Sequence, residues 1–216
     1  MKLAPTEVTP QLDDYMVGLL APRDPVLARM ESEIEREEVP GIGPHVGQLL
    51  ALLLRTSGCR DVLELGTAIG YSAIWLARGS AGRVTTLETD PARAGRAQAN
   101  IAEAGLGDRV DVVQEEAMAY LERGGEPVDA IFNDLLNSFP GEDTVDRCFE
   151  LSLARLRPGG LLLADNALGR GRVIGAASRP ARNIDRYNRL VAGDPRLEGM
   201  IIPIRDGLSL ARLSSA

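Results

Sequence analysis

Lysine is almost missing from this chain. Lys2 is the only one, and the other 23 of the 24 basic residues are arginine, a bias that a GC-rich genome explains. Cysteine is scarce as well. Cys59 and Cys148 form neither a C-x-x-C pair nor a metal-ligand spacing, so both read as core thiols of a reducing compartment. No apolar run approaches the roughly 18 to 20 residues of a membrane span. The first residues, MKLAPTEVTPQLDD, lack the basic and apolar regions of a secretory signal, and a cytoplasmic location is the expectation. Positive charge is not in excess either: a net charge of −7 argues against a general grip on nucleic acid. No internal repeat and no linker divides the chain.

What is present is the composition of a soluble globular protein, 44% apolar and 25% charged, over a length that suits one domain spanning 1–216. Residues 1–57 read as three helices. The first covers Pro10 to Ala21, with Leu12, Tyr15, Met16, Leu19 and Leu20 on one face. The second follows Asp24 as N-cap and Pro25, and runs to Glu38. The third is the apolar helix HVGQLLALLLR, starting near Val46 after the interruption VPGIGP. From residue 58 onward strands and helices alternate, the pattern of a parallel α/β sheet.

The core opens with DVLELGTAIGYS at residues 61–72. Val62, Leu63 and Leu65 suit a buried strand, Gly66 and Gly70 a turn, and the following residues a helix. Such a turn lets bare backbone approach a ligand beside a helix N-terminus. The two glycines are four apart, with serine at 72, so the three-glycine dinucleotide fingerprint of a nicotinamide dehydrogenase is absent. In an open α/β sheet, ligands bind outside the carboxyl ends of the strands. Three further polar groups fall there. Glu88 ends the second strand, 22 positions after Gly66, about where an acidic side chain takes ribose hydroxyls. Asp134 ends the fourth strand and Asp165-Asn166 the fifth. Two carboxylates and an amide carbonyl are hard oxygen donors, suited to Mg²⁺ or another divalent cation, with positions left for substrate. The competing reading is a purely structural acidic rim.

The ordered series DVLELGTAIGYS, TTLETDPARA, DAIFND and RPGGLLLADNALGRGRV resembles the cation-dependent S-adenosylmethionine (SAM) O-methyltransferases. These are the catechol and caffeoyl-coenzyme A O-methyltransferases and their bacterial relatives. The likeness covers about Pro40 to Arg172, and the terminal DGLSLAR is similar to the family's last strand. It implies a Rossmann-like class I methyltransferase fold: a seven-stranded, mostly parallel sheet with an antiparallel last strand and extra N-terminal helices. It implies SAM as cofactor, a small hydroxyl-bearing acceptor and a homodimer. It assigns Glu64, Gly66, Thr67, Ala68, Gly70, Tyr71 and Ser72 to the methionine side of the cofactor. Ile42 falls by the cofactor carboxylate, Glu88 by the ribose, Glu116 and Ala117 by the adenine, and Asp134, Asp165 and Asn166 at the metal, Asp134 also lining the cofactor site.

The sequence departs from that family at one position of consequence. A lysine three residues after the first metal aspartate usually acts as general base, and here the residue is Asn137. An amide cannot accept a proton from a phenol. Three readings stay open. The cation acidifies the hydroxyl enough alone, or another group serves, His45 being the only histidine, or the protein binds cofactor with weakened catalysis. Acceptors in the bacterial branch run from catechols and natural products to a hydroxylated uridine of transfer RNA. Arginines 170, 172, 179, 182, 186 and 189 are read mainly as solvated helix faces, with pairing to an acidic acceptor as the sharper alternative.

Overall fold

A computed structural model describes residues 6–215. Three helices come first: α1 (Pro10–Leu19), α2 (Pro25–Glu37) and α3 (Gly43–Thr56). Each has a proline in its first turn, where the missing N–H costs nothing. The Thr9 hydroxyl and the Asp24 carboxylate accept from the N–H three residues on, capping α1 and α2. α3 begins earlier than its apolar pattern suggests, because Pro44 is compatible with the first turn. His45 therefore lies inside the helix rather than ahead of it. No α1 side chain is buried, and Tyr15 and Leu19 of its apolar face are 63% and 69% exposed. α1 stops at Leu19, two residues short of the predicted end.

The alternating part follows as β1 (Val62–Leu65), α4 (Tyr71–Gly79), β2 (Val84–Leu87), α5 (Pro91–Glu103), β3 (Val110–Val113) and α6 (Ala117–Glu122). It continues with β4 (Val128–Asn133), α7 (Glu142–Arg155), β5 (Leu156–Ala164), α8 (Arg179–Gly193), β6 (Leu197–Ile202) and β7 (Leu208–Leu213). The seven strands form one sheet in the order 3-2-1-4-5-7-6. Six strands run parallel and β7 runs antiparallel between β5 and β6. This is the Rossmann-like sheet with the antiparallel last strand that the resemblance implies. β1 at the centre is buried on both faces, so it reads as an unbroken apolar run apart from Glu64. The order reverses at β1, and the crevice above β1 and β4 is the topological switch point.

The Pro158-Gly159-Gly160 turn expected before β5 is part of the strand. Val128 pairs with Leu156 and Ala130 with Leu161, so six residues of β5 span three of β4. That irregularity gives Pro158 a place where no ladder hydrogen bond is required. One apolar cluster packs α2, α3, α4 and α5 on one face of the sheet, and a second packs α6, α7 and α8 on the other. Both cysteines are buried in these clusters. Glycines let α3 and α4 approach closely: a Cβ on Gly47 would meet Trp75 at 2.4 Å, and one on Gly79 the Ala51 backbone at 2.5 Å. Among the described residues no helix is long and apolar enough to cross a membrane.

Candidate functional site

The loop after β1 is built from left-handed backbone. Gly66, Ala68 and Gly70 have φ of 99°, 49° and 88°, and the loop's amides hold the turn of this cradle itself: Gly66 N and Thr67 N donate to the Leu87 carbonyl at 3.2 and 3.1 Å, and Gly70 N to the Thr67 carbonyl at 2.9 Å. A Cβ on Gly70 would stand 3.2–3.3 Å from Ala97 of α5, which makes glycine the fitting residue there. Ala68 is the strained member, and Glu88 holds it: the Ala68 N–H donates to Glu88 Oε2 at 2.9 Å. Glu88 Oε1 accepts from Thr89 N and Asp90 N at 2.9 and 3.0 Å. One carboxylate thus ties the cradle to the end of β2.

Two predicted cradle residues point into the core. Thr67 donates to Thr86 Oγ1 at 2.5 Å, and Thr86 donates to Glu64 Oε2 at 2.5 Å. Glu64 is fully buried, and its Oε1 has no partner among the described residues. Burial pushes its carboxyl up to about 7, against a smaller opposing effect of the Ser72 and Thr86 hydroxyls. Between pH 4.5 and about 7 the folded protein holds a proton that the unfolded chain has lost. Stability therefore falls as pH rises through that window and the loss is complete above it. Glu64→Gln is expected to be more stable than the parent by about 2–3 kcal/mol at pH 8 and equal to it at pH 4. Urea melts at the two pH values check this, and an unchanged difference would refute it.

Tyr71 is also turned from the cradle, its hydroxyl donating to Glu31 Oε1 on α2 at 2.8 Å. A second tie runs from Arg29 of α2 to Asn100 Oδ1 at 2.9 Å, and from Asn100 Nδ2 to the Ile69 carbonyl at 2.9 Å. α2 therefore braces the glycine loop twice, which the sequence reading missed. Glu116 is exposed and caps α6 by accepting from Ala119 N at 2.8 Å, with Ala117 buried behind it. Ile42 is buried at the start of α3.

The sheet hydrogen bonding runs one residue past each strand end. Asp134 N donates to Leu65 O and Asp165 N to Asn133 O, at 3.0 and 3.2 Å, and this puts Asp134 and Asp165 side by side. Asn166 follows with φ of 64°, a left-handed conformation that asparagine tolerates. Its amide nitrogen reaches both acids, at 3.2 Å from Asp134 Oδ1 and 3.0 Å from Asp165 Oδ2. Burial, then the adjacent Asp165 and Glu64, push the Asp134 carboxyl well above its usual range. Asp165 is raised by burial to about 6, with the Arg205 guanidinium, 3.6 Å from its Oδ2, opposing the rise. Asp165 Oδ1 is buried and unpartnered among the described residues. Two crowded carboxylates with an orphaned oxygen face a single cation among the described residues, Arg205, which lies 3.6 Å from Asp165. Among the described residues no three His, Cys, Asp or Glu side chains converge, so a cation here rests on two acids and the Asn166 carbonyl, a donor set suited to a hard ion.

Asn137 is exposed on the turn after Asp134. That turn is held from below by Asn183 of α8, which donates to the Phe139 carbonyl at 2.9 Å. His45 Nδ1 lies 3.5 Å from Asp13 of α1, and its Nε2 is buried without a partner among the described residues. Two cavities share Asn166 and Arg170. One, of about 740 Å³, opens toward the N-terminal helices past Asp13, His45 and Arg205. The other, of about 270 Å³, opens toward α8 past Asn137 and Arg172. A further cavity of about 520 Å³ lies on the β3 edge by Gln98 and Tyr120, away from the strand ends that carry these groups. Neither Arg205 nor Asn183 stands out in the sequence, because each acts across a tertiary contact.

A Rossmann-like sheet with a glycine cradle and an acidic rim at the switch point defines an α/β enzyme of the methyltransferase class. The chain belongs to the O-methyltransferase family, whose model matches residues 25–214. It is similar to a catechol O-methyltransferase from Niastella koreensis, at 32% identity over 95% of this chain and 97% of that protein. A catechol O-methyltransferase from Mycobacterium tuberculosis is 34% identical over 76% of this chain and 75% of that one. Among solved structures, an O-methyltransferase from Bacillus cereus in complex with SAH superposes with a TM-score of 0.83 at 33% identity, over 94% of this chain and 97% of that chain. The O-methyltransferase TomG from Streptomyces achromogenes, involved in tomaymycin synthesis and solved with SAM, gives 0.83 at 28% identity, covering 94% and 96%. The activity that family and fold define is SAM-dependent O-methylation.

Proposed function

We propose that this enzyme methylates one hydroxyl of a small vicinal diol of the catechol type, assisted by a divalent cation, Mg²⁺ on donor chemistry. The observation that carries the reading is the Asp134–Asp165–Asn166 group, with its unpartnered buried oxygen, beside the glycine cradle. The names of the two catechol-methylating relatives support the diol.

In this reading the bare glycine backbone of the loop from Gly66 to Gly70, which lets a ligand approach closely, and the backbone at Ile42 seat the methionine part of SAM. Glu88, with lone pairs beyond its three backbone partners, takes the ribose hydroxyls, and Glu116 and Ala117 flank the adenine. Asp134, Asp165 and the carbonyl of Asn166, presented once its amide rotates, hold the cation, which when bound supplies the Lewis acidity that eases loss of the acceptor proton. The chain's own contribution is alignment of the acceptor oxygen, the methyl group and the sulfur in line. Asn137 cannot take the proton. His45, lining the larger cavity with a free Nε2, is the basic side chain available to pass it on.

Methyl transfer to catechol, measured with Mg²⁺ and after chelation, tests this. Turnover is expected to vanish on chelation and return with Mg²⁺, and turnover indifferent to chelation would overturn the cation's role. Asn137→Lys is expected to change kcat less than about tenfold. A gain of the order of a hundredfold or more, the usual worth of a positioned base, would show that base catalysis is the missing component.

A further inference from the structure

The six arginines from 170 to 189 are not equivalent. Three of the four on α8 are ion-paired, Arg182 with Glu142, Arg186 with Asp146 and Arg189 with Asp185, and the fourth, Arg179 at the helix start, does not line the cavities beside the rim. Arg170 and Arg172, in the loop before α8, make no ion pair among the described residues and instead line the cavity of about 270 Å³. Asn137, Asn166, Ser178 and Asp206 share that lining, so the cavity opens directly onto the amide that bridges Asp134 and Asp165.

The loop is fixed in place. Ala167 N and Leu168 N donate to the carbonyls of Gly207 and Asp206 at 2.9 and 2.8 Å. Asn188 of α8 donates to the Ala167 carbonyl at 2.7 Å. Asp206, the only acid lining the cavity among the described residues, accepts from the Arg170 backbone N–H. Its carboxylate is thereby engaged in holding the loop, while the two guanidinium groups stay available. The walls are otherwise short or apolar, from Pro180, Ala181 and Ile184. In a protein of net charge −7, a cavity with two unpaired arginines beside the reactive rim is a local reversal of sign. Asn137 adds a neutral amide where related enzymes carry a lysine, so the cavity's positive charge comes from the arginine loop.

The geometry points to an acceptor that carries a carboxylate: its hydroxyls lie at the Asp134–Asp165–Asn166 rim and its anionic end lies between Arg170 and Arg172. A planar fork pairs with a carboxylate bidentately and fixes orientation as well as charge. This rests on the diol-methylation reading above and adds which diol is preferred.

The experiment compares 3,4-dihydroxybenzoate with 3,4-dihydroxybenzamide, equal in shape and hydroxyls and different in charge. It uses the parent protein, the double variant Arg170→Ala/Arg172→Ala, and Arg189→Ala as a surface control. The parent is expected to favour the benzoate by about tenfold or more in kcat/KM. The double variant is expected to lose that preference through a raised KM for the benzoate, and Arg189→Ala to keep it. The preference should shrink as salt rises, because solvent-facing charges are screened, and Arg170→Lys/Arg172→Lys should restore part of it. Equal turnover of the two probes by the parent, or a preference that survives in the double variant, overturns the proposal. If neither probe is methylated, calorimetric binding decides. Benzoate binding lost in the double variant upholds the anion site and removes the diol reading instead, and indistinguishable binding in both proteins overturns the site itself.

Discussion

Asp165→Asn is expected to lower methyl transfer by about a hundredfold or more and to abolish the protein's response to Mg²⁺. The site has only two carboxylates among the described residues, so losing one removes half of the charge that would hold a divalent cation, and with it the electrostatic help to the departing proton. Stability is expected to move the other way. The Asp165 carboxyl ordinarily ionises near 3.8 and is raised to about 6 in the fold. The folded state therefore loses stability relative to the unfolded chain as pH rises from about 4 to 6, and above that the cost persists. The isosteric amide should gain about 1–3 kcal/mol at pH 8 and nothing at pH 4. A variant that is inactive and more stable can only have lost a functional group. One that is inactive and less stable, or fully active, would strip Asp165 of the role assigned to it. Thermal melts with and without Mg²⁺, beside a radiolabelled methyl-transfer assay, separate these outcomes.

The second large effect is expected at Glu88. Its two oxygens accept three backbone N–H groups, and hydrogen bonds to a charged acceptor are worth more than neutral ones. Glu88→Ala removes the pin from Ala68 and frees a strained loop at once. SAM binding is expected to weaken by about 2–3 kcal/mol, on the order of 30- to 150-fold in Kd. Glu88→Gln, which keeps two acceptor sites on its carbonyl oxygen, should lose less. Calorimetric titration of SAM reads both variants. Equal, unaltered affinity in the two would mean that the cradle holds its shape without this residue.

How far the sequence leads depends on whether a residue's role is local. The β1 strand, its two glycines and the acids at Glu88, Asp134 and Asp165 sit where a strand ends and a turn begins, and period and turn chemistry read such points directly. The cradle and rim were legible for that reason. The features missed are all long-range. Glu31 reaches Tyr71 from 40 positions away and Arg29 reaches Asn100 from 71. Arg205 meets Asp165 only because β7 folds back antiparallel beside β5. Apolar spacing gave α1 a face without its partner: Tyr15 and Leu19 have the right periodicity and face solvent, since periodicity shows that a face exists and not what covers it. At β5 the local turn signal of Pro158-Gly159-Gly160 was real, and the strand absorbed it through an irregular register.

The double brace from α2 to the glycine loop changes what counts as part of the cofactor site. Arg29 and Glu31 lie on a helix outside the sheet, yet each is one or two hydrogen bonds removed from the cradle backbone. By thermodynamic linkage, whatever loosens α2 lowers the population of cradles ready to bind, and whatever fills the cradle steadies α2 in return. Natural variation in this N-terminal helix is therefore a means of tuning cofactor affinity without altering any residue the cofactor touches.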